Sequence, residues 1–179
     1  MNYPNSQKKF FLVIILTIFS MVTCFAEDTT KSKSHKPPIL TTTAIIEIYE
    51  KDEFQGIVLI ERGKAPFGKA IPGGKVEYGE TVEDAVRREM LEEVHLELED
   101  LKQFHVYSEP SRDFRHHSIE VAHVAKSYEM PLAGDDAANA FLVKLEDIPW
   151  KELAFDHAQV LQDYIKWRNH NDFSAMEKP

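Results

Sequence analysis

The segment GGKVEYGETVEDAVRREMLEEVHL, residues 73–96, carries the strongest pattern in the chain: three glutamates on one short predicted helix. With about 3.6 residues per turn, Glu89, Glu92 and Glu93 lie at the border of the apolar stripe of this helix. The stripe consists of Val82, Val86, Met90 and Val94. Carboxylates at the edge of a core lose hydration and repel one another, so the arrangement requires positive charge among them.

Two kinds of positive charge can compensate these glutamates. Arg88, four residues before Glu92, is placed to compensate one carboxylate through an ion pair on the helix surface. Clustered carboxylate oxygens are also the ligands that hard divalent cations prefer. Gly73 and Gly74, ahead of the helix, allow the backbone to turn tightly and to approach a ligand closely. The pattern therefore favours a metal site, and the alternative is a salt-bridged surface helix.

The remaining patterns predict an α/β chain. Thr81 and Asp84 resemble a capping box, with Asp in place of the usual Glu or Gln, and predict a helix from about Thr81 to Val94. A second helix is predicted from about Asp156 to Arg168. The predicted strands are TTTAIIEIYE and GIVLIERG, which form a hairpin, then KAIPGG, LKQFHVYS, HSIEVAHVAK and NAFLVKLED. Together these elements predict a mixed sheet with at least two helices in one domain.

The helix and the glycines before it resemble the signature of the Nudix hydrolases. That signature is Gly, five residues, Glu, seven residues, Arg-Glu, an aliphatic residue, any residue, Glu-Glu, any residue, Gly and an aliphatic residue. The matching positions are Gly74, Glu80, Arg88, Glu89, Met90, Glu92, Glu93 and Leu96. His95 stands where the family has the glycine that ends the helix in a left-handed conformation, and we expect a strain of roughly 1 kcal/mol with retained chemistry. The resemblance implies a Nudix-like α/β/α sandwich with a mixed β-sheet.

The resemblance also implies the catalytic and metal-binding roles. Glu92 and Glu93 would be metal ligands, and Glu89 would be a further ligand or the base that activates water. The Gly73 carbonyl would complete the metal shell. The implied cofactor is Mg²⁺, or Mn²⁺, which can neutralise phosphates and lower the pKa of the attacking water.

Three motif positions, Gly74, Glu80 and Arg88, are implied to be structural, with Glu80 and Arg88 paired to fix the loop against the helix. Many Nudix enzymes also use an acid from a later loop. Asn139 stands at the position that aligns there, and the possible substitutes are Asp135, Asp136 and Glu120. The sequence does not indicate which of these residues would supply the loop acid, and Glu89 is the expected base.

Downstream segments resemble the small ADP-ribose pyrophosphatases of this superfamily. They are VYSEPSRDFRHHSIEVAHVA, AGDDA and LAFDHAQVLQDY, with Pro110 fifteen residues beyond His95. The resemblance implies hydrolysis of ADP-ribose to AMP and ribose 5-phosphate. The alternatives are a nucleoside triphosphate pyrophosphohydrolase and a non-catalytic module that only binds a nucleotide. The expected partner is a small nucleotide substrate, and a homodimer is possible.

Several residues outside the signature are candidates for ligand contacts or for packing. Arg112 and Arg115 are candidate phosphate or ribose contacts because arginine offers fork-like donors, and the alternative is a pair of solvated loop arginines. His157 is predicted to be a hydrogen-bonding residue at a helix start. The aromatic residues interpreted as packing residues are Trp150, Phe155 and Trp167, although one of them could stack on adenine.

The first part of the chain has the pattern of a secretory signal. Lys8 and Lys9 precede a charge-free run over residues 10–26, which is short for a membrane-spanning helix of about 20 apolar residues. The predicted domains are a signal peptide at 1–26, a flexible linker at 27–39, a Nudix domain at 40–170 and a tail at 171–179. The prediction is an exported protein, periplasmic or secreted, and the alternative is a membrane anchor that is not cleaved.

Composition limits the partners of the exported chain. Cys24, the one cysteine of the sequence, precedes the predicted cut, so a cleaved chain has no disulfide and no cysteine metal site. Loss of Lys8 and Lys9 takes the formal net charge from −9 to −11. This acidity argues against nonspecific binding to nucleic acid or to an anionic membrane, both of which favour basic surfaces.

Overall fold

The structure, a computed structural model, describes residues 36–133 and 137–176. The elements in chain order are β1 (Ile39–Glu50), β2 (Glu53–Arg62), β3 (Lys69–Ala70), β4 (Gly73–Lys75), α1 (Val82–Val94), β5 (Glu99–Tyr107), β6 (Ser118–Ser127), β7 (Ala137–Val143), a 3₁₀ helix (Leu145–Asp147) and α2 (His157–Met176). The predicted signal peptide and most of the predicted linker lie outside the described residues, as do residues 134–136 and 177–179. In the part that is described, none of the helices combines the length and the apolar character needed to cross a bilayer.

The seven strands form one mixed sheet, as the sequence predicts. The main order is β3-β2-β1-β6-β5, with β4 paired to β1 and β7 paired to β2. β1 and β6 run parallel, and the other pairs are antiparallel. The predicted β1–β2 hairpin is therefore present, but it occupies the middle of a larger sheet.

The two strands of this hairpin separate after a few residues, and the glycine-bearing segment fills the gap. β1 and β2 pair from Glu47 with Ile57 up to Glu50 with Glu53, next to their turn. Farther from the turn, β3 pairs with β2 and β4 pairs with β1 on the edges that the hairpin leaves open. At Gly73 a Cβ atom would collide with the Thr42 carbonyl, so β4 can approach β1 this closely only with glycine at that position. The separation of β1 from β2 thus leaves room for β4, whose residues Gly73 and Gly74 lie next to α1.

Helices cover both faces of the sheet, which makes the fold an α/β/α sandwich. Alternate residues of β1 and β2 point to opposite faces. The face toward α1 buries Ala44, Ile46, Ile48, Val58 and Ile60 together with Val86, Met90 and Val94. The face toward α2 buries Ile45, Ile57 and Leu59 together with Val160, Leu161 and Tyr164. Burial on both faces explains why these strands are continuous apolar runs and do not alternate with polar residues.

α2 continues to Met176, beyond the end predicted near Arg168. The prediction followed the apolar pattern, which stops where the sequence becomes NHND, whereas the backbone hydrogen bonds of a helix do not require apolar side chains. A polar cluster also fixes this helix to the sheet. The buried carboxylate of Glu47 on β1 accepts hydrogen bonds from Tyr164 Oη (2.6 Å) and Arg168 Nε (3.3 Å).

Both ends of α1 are capped by the residues that the sequence indicates. The Thr81 hydroxyl accepts a hydrogen bond from the Asp84 amide (3.1 Å) and donates one to the Asp84 carboxylate (2.8 Å). At the other end His95 has φ 54° and ψ 38°, the left-handed conformation expected at this position. The Leu96 amide donates to the Met90 carbonyl (3.2 Å), which closes the helix.

We expect His95→Gly to raise the free energy of unfolding by a few tenths to about 1 kcal/mol. Glycine adopts a positive φ without strain, and its greater entropy in the unfolded chain offsets part of this gain. The imidazole is exposed, and its hydrogen bond within the described residues goes to the Leu132 carbonyl (3.3 Å), so kcat/KM should stay within a few-fold. Thermal unfolding and steady-state kinetics of both proteins measure this.

The control is Glu97→Gly, at an exposed neighbouring position where φ is not positive. This substitution should destabilise the protein, because it adds unfolded-state entropy without relieving strain. If His95→Gly lowers the free energy of unfolding as much as Glu97→Gly does, the strain interpretation is contradicted.

A second polar residue inside the fold, His123 on β6, is completely buried. The Thr42 hydroxyl donates its hydrogen to the Val121 carbonyl (3.1 Å). It therefore accepts at its contact with His123 (3.1 Å), and Nδ1 of His123 is the donor. Nε2 then carries the lone pair, and among the described residues it has no hydrogen-bond partner. Protonation would create a buried N–H⁺ without an acceptor. Burial accordingly lowers the pKa of His123, and contacts with the Thr43 carbonyl and Glu83 offset only part of this effect.

The lowered pKa of His123 predicts a loss of stability in mild acid. The unfolded chain takes up the proton near pH 6.5 and the folded chain does so at lower pH, so the free energy of unfolding should fall as the pH drops below about 6.5. In His123→Asn the amide keeps a donor but does not titrate, and the slope between pH 7 and pH 5 should be smaller. His105→Asn, at an exposed position, is the control and should keep the wild-type slope. Urea unfolding at several pH values measures the slopes, and equal slopes in wild type and His123→Asn would contradict this account.

Candidate active site

A cavity of about 490 Å³ opens where the β1–β2 hairpin separates. The lining comes from β1, β4 and α1 and from the loops after β2, after β5 and before α2. The lining includes all the predicted site residues except Glu80, namely Gly73, Gly74, Arg88, Glu89, Glu92, Glu93, Arg112 and Arg115. The structure therefore brings together residues that lie up to 42 positions apart in the sequence.

Arg88 fixes the loop before α1 to the helix. Its Nη2 and Nε donate to the two carboxylate oxygens of Glu80 (2.8 and 3.2 Å), and Nη2 also donates to the Lys75 carbonyl at the end of β4 (3.1 Å). The Glu77 amide donates to the same Glu80 carboxylate (2.6 Å). The hydrogen bond between Arg88 and Glu80 is the main reason that the pKa of Arg88 is raised. The same hydrogen bond is the main reason that the pKa of Glu80 is lowered. This bidentate pair agrees with the role predicted for both residues.

The same guanidinium also lies among the helix carboxylates. Its Nη1 donates to Glu89 Oε1 (2.9 Å) and to Glu92 Oε2 (3.3 Å). Glu89 is mostly buried with 14% of its side chain exposed, whereas Glu92 is 58% exposed. One cation thus reduces the repulsion between two of the three glutamates.

Glu93 and the glycine pair approach each other through the backbone. The Gly73 amide donates to Glu93 Oε2 (2.8 Å), and Glu93 is buried. A Cβ atom at Gly74 would collide with the carboxylate of Glu89. A side chain at Gly74 would therefore displace the Glu89 carboxylate from its observed position, whereas Gly73 is required by its approach to β1 and supplies its amide to Glu93.

The donor atoms of this group fit a hard divalent cation. Glu89, Glu92 and Glu93 supply carboxylate oxygens on adjoining turns of α1, which is the chemistry that Mg²⁺ and Mn²⁺ prefer. In the described part of the chain, no three carboxylate or imidazole groups lie close enough together to enclose an ion. Glu89 and Glu92 point toward Arg88, and Glu93 points toward Gly73. A bound cation would require rotations of these side chains, with the Gly73 carbonyl as the expected further ligand.

Glu89 differs from its neighbours in its environment. Burial raises the pKa of Glu89, and the hydrogen bond with Arg88 opposes that increase. A carboxylate that loses hydration in this way is a better proton acceptor than an exposed one. This environment favours Glu89 as the base.

Arg112 lies at the bottom of the cavity, where its donors are used within the protein. Its side chain is only 4% exposed. It donates to both oxygens of Asp156 (2.9 and 2.7 Å), to Ser118 Oγ (2.9 Å) and to Glu120 Oε2 (2.7 Å). The substrate contact proposed for Arg112 therefore stays a prediction, and the observed contacts join the loop after β5 to β6 and to the start of α2.

Glu120 is ionised and held inside the protein. Burial opposes the ionisation of Glu120, but contacts with His157 and Arg112 lower its pKa well below the ordinary value. Thr43 Oγ1 donates to its other oxygen (2.9 Å). With both oxygens engaged by the protein, Glu120 is placed as a structural anion on the cavity floor.

His157 connects this anion to the glycine-bearing segment. The Ile71 amide donates to His157 Nδ1 (2.9 Å), so the proton of the neutral ring is on Nε2, which faces Glu120 at 3.8 Å. The sequence predicted a hydrogen-bonding residue at a helix start, and the contact confirms it. Its partner Ile71 lies 86 positions earlier, which no local pattern indicates.

The cavity lining also contains two arginines, Arg62 and Arg115. Arg115 is held by a bidentate pair with buried Asp113 (2.9 and 2.7 Å) and by the Ala65 carbonyl (3.3 Å). Arg62, at the end of β2, donates through Nε to the Pro66 carbonyl (2.7 Å). Both guanidiniums lie over the ring of Phe155, at 4.7 Å for Arg62 and 5.1 Å for Arg115. The sequence analysis did not select Arg62, because a single arginine at the end of a strand has no distinguishing pattern.

The described candidates for an additional loop acid, Asn139 and Glu120, differ in where they lie. Asn139 on β7 pairs with Glu61 of β2 and is not part of the lining. Asp135 and Asp136 lie outside the described residues. Glu120 lines the cavity, but both of its oxygens are bonded to the protein.

Comparison with known proteins agrees with this geometry. The model of the NUDIX domain matches residues 39–164. A curated protein of Methanocaldococcus jannaschii named ADP-ribose pyrophosphatase is 41% identical over 140 residues, which cover 76% of this chain and 80% of that protein.

Solved structures show the same fold. The NUDIX domain of Shewanella oneidensis NrtR, complexed with ADP ribose, has a TM-score of 0.68 and 25% identity, with 77% of this chain and 93% of that chain covered. A mutT/nudix family protein from Listeria innocua has a TM-score of 0.64 and 29% identity, with 77% and 99% covered. The mixed sheet between two helices is thus the fold of these proteins.

Proposed function

Since the chain belongs to the NUDIX family of hydrolases, we propose that it hydrolyses ADP-ribose to AMP and ribose 5-phosphate with the help of a divalent cation. The observation that carries this proposal is that Glu89, Glu92 and Glu93 line the same cavity as Arg62 and Arg115. A diphosphate requires positive charge around its oxygens and a base for the attacking water, and the lining offers both. The relative that is 41% identical is named for this activity.

Each residue of the site contributes a distinct part of the reaction. Glu92 and Glu93, with the Gly73 carbonyl, would hold the cation, for which we propose Mg²⁺ with Mn²⁺ as the alternative. The bound cation would neutralise phosphate charge and lower the pKa of the attacking water. Glu89, whose pKa is raised by burial, would accept the proton from that water. Arg88 contacts both Glu89 and Glu92 in the structure, and Glu92 would turn from Arg88 toward the cation when the cation binds.

The substrate test is a panel of dinucleotides, nucleotide sugars and nucleoside triphosphates, with Mg²⁺ or Mn²⁺ present. We expect ADP-ribose to give the highest kcat/KM and to yield AMP and ribose 5-phosphate, identified by chromatography. Release of pyrophosphate from a nucleoside triphosphate at a higher kcat/KM would overturn the proposal in favour of a triphosphate pyrophosphohydrolase. No turnover of any substrate would favour a nucleotide-binding module.

Glu93→Gln should lower kcat by about a hundredfold or more, because it removes one charge that faces the cation. The glutamine keeps the volume and an oxygen that can accept the Gly73 amide hydrogen bond, so the melting temperature should change little. The matched control is Glu97→Gln, which removes the same charge from an exposed position outside the cavity. Unchanged turnover in Glu93→Gln would show that α1 does not carry the catalytic cation site.

We further propose that the chain is exported and cleaved after Ala26, with support from the sequence alone: Lys8 and Lys9 precede the apolar run of residues 10–26. Intact-mass analysis of protein from the extracytoplasmic fraction should show a chain that begins near Glu27. Full-length chain confined to the cytosol would contradict the proposal, and full-length chain in the membrane fraction would favour an uncleaved anchor.

A further inference from the structure

The chain reaches the carboxylates of α1 through residues 71–73, a short segment that joins β3 to β4. At its end the Gly73 amide donates to Glu93 Oε2 (2.8 Å), and the carbonyl of the same residue is the expected further ligand of the cation. The next residue, Gly74, lies against the carboxylate of Glu89. A displacement of this segment would therefore disturb the site at two of its three glutamates.

The loop before α2 holds the beginning of this segment. The Lys69 amide donates to the Glu152 carbonyl (2.8 Å), and the Ala154 amide donates to the Lys69 carbonyl (2.8 Å), which is the hydrogen-bond pattern of parallel strands. The next bond of this pattern would join the Ile71 amide to the Ala154 carbonyl. That carbonyl instead accepts a hydrogen bond from the His157 amide at the start of α2 (3.3 Å), and the Ile71 amide bonds a different acceptor.

The imidazole of His157 is that acceptor. The Ile71 amide donates to His157 Nδ1 (2.9 Å), so the ring takes the place of the next carbonyl of the ladder. Both residues are buried, with 2% of Ile71 and 4% of His157 exposed. Because a buried amide that loses its acceptor is costly, the position of Ile71 depends on a side chain 86 positions later in the sequence.

The buried anion Glu120 supports the segment from both ends. One of its oxygens faces His157 Nε2 at 3.8 Å, and this contact favours the tautomer whose Nδ1 accepts the bond from Ile71. Its other oxygen accepts a hydrogen bond from Thr43 Oγ1 (2.9 Å). Thr43 is the residue of β1 that pairs with Gly73 of β4. One carboxylate is thus connected to the start of the segment through an imidazole and to its end through a strand pair.

We propose that His157 is a positioning residue for the cation site: by accepting the Ile71 amide it holds Gly73 where its carbonyl can serve the cation and its amide can bind Glu93. The inference rests on the proposed function for the presence of a cation. The ring lines the cavity, but Nδ1 is used by Ile71 and Nε2 faces Glu120, so it acts through the backbone. Groups that orient the ligands of a metal affect its affinity without contacting it.

The test compares His157→Asn with His157→Leu, since these two side chains have nearly the same shape. Asparagine carries its amide oxygen near the position of Nδ1 and can accept the Ile71 hydrogen, whereas leucine cannot. Binding of Mn²⁺ to the full chain without substrate is measured from the electron paramagnetic resonance signal of the free ion. His157→Leu should weaken Mn²⁺ binding about tenfold to a hundredfold, and His157→Asn should stay within about threefold of the wild type.

Kinetics give a second measurement. In His157→Leu, the Mn²⁺ concentration for half-maximal hydrolysis should rise in the same proportion as the dissociation constant. The KM for ADP-ribose at saturating Mn²⁺ should change less than about threefold, because the imidazole does not touch the substrate. A merely structural role for His157 would lower the melting temperature of His157→Leu and leave its Mn²⁺ affinity unchanged.

The control is His105→Leu, at an exposed position of β5 outside the cavity, which should bind Mn²⁺ as the wild type does. Melting temperatures check that each variant is folded during the measurement. The proposal is overturned by an unchanged Mn²⁺ affinity of His157→Leu, by an equal loss in His157→Asn, or by a wild type that binds no Mn²⁺. If His157→Leu does not fold, His157→Ala replaces it with the same expected loss, and unchanged affinity there also overturns the proposal.

Binding of Mn²⁺ without substrate separates this inference from the proposed function. If Mn²⁺ affinity falls in His157→Leu and is kept in His157→Asn, but the protein does not hydrolyse ADP-ribose, the positioning role stands and the proposed activity is removed. If ADP-ribose is hydrolysed with the same Mn²⁺ dependence in wild type and His157→Leu, the positioning role is removed and the proposed activity stands.

Discussion

The guanidinium of Arg88 is the contact on which the rest of the site depends. It bonds Glu80 in the loop, Lys75 at the end of β4, and Glu89 and Glu92 on the helix, so one side chain fixes three parts of the chain relative to one another. Without this cation, Glu89 and Glu92 would lose their ion pairs at the edge of the core, and the loop before the helix would lose its bond to Arg88. Lysine offers a single charged point, which cannot replace a fork with five donors here.

The carboxylate side of the site could be predicted from the sequence because its signals are local. Glu89, Glu92 and Glu93 are related by helical spacing, Thr81 marks the helix start, and His95 marks its end. The covered faces of β1 and β2 follow from their continuous apolar runs. In each case the residues that interact are close in sequence or share a simple periodicity.

Of the arginines in the cavity, the sequence indicated Arg115 but not its neighbour Arg62, since their contacts join distant segments. Arg62 and Phe155 are brought together by the arrangement of loops after β2 and before α2, and His157 bonds Ile71 across 86 positions. The division of the β1–β2 hairpin by β3 and β4 is equally non-local, and it depends on a close approach at Gly73 that only the three-dimensional structure reveals. Arg112 illustrates the same limit: its type suggested a ligand contact, while its neighbours in space already use its donors.

The parallel pairing of β1 with β6 determines at which stage of folding the cavity can form. Strand β1 meets its partner some 79 positions later in the chain, and β4, which carries the glycine pair, is itself paired to β1. Pairings of such high sequence separation form slowly, because a long loop must close before any contact is gained. The cavity residues on β4 and β6 therefore come together only when β6 has been synthesised and has paired with β1. The site is consequently a product of the completed sheet and does not exist in any shorter segment of the domain.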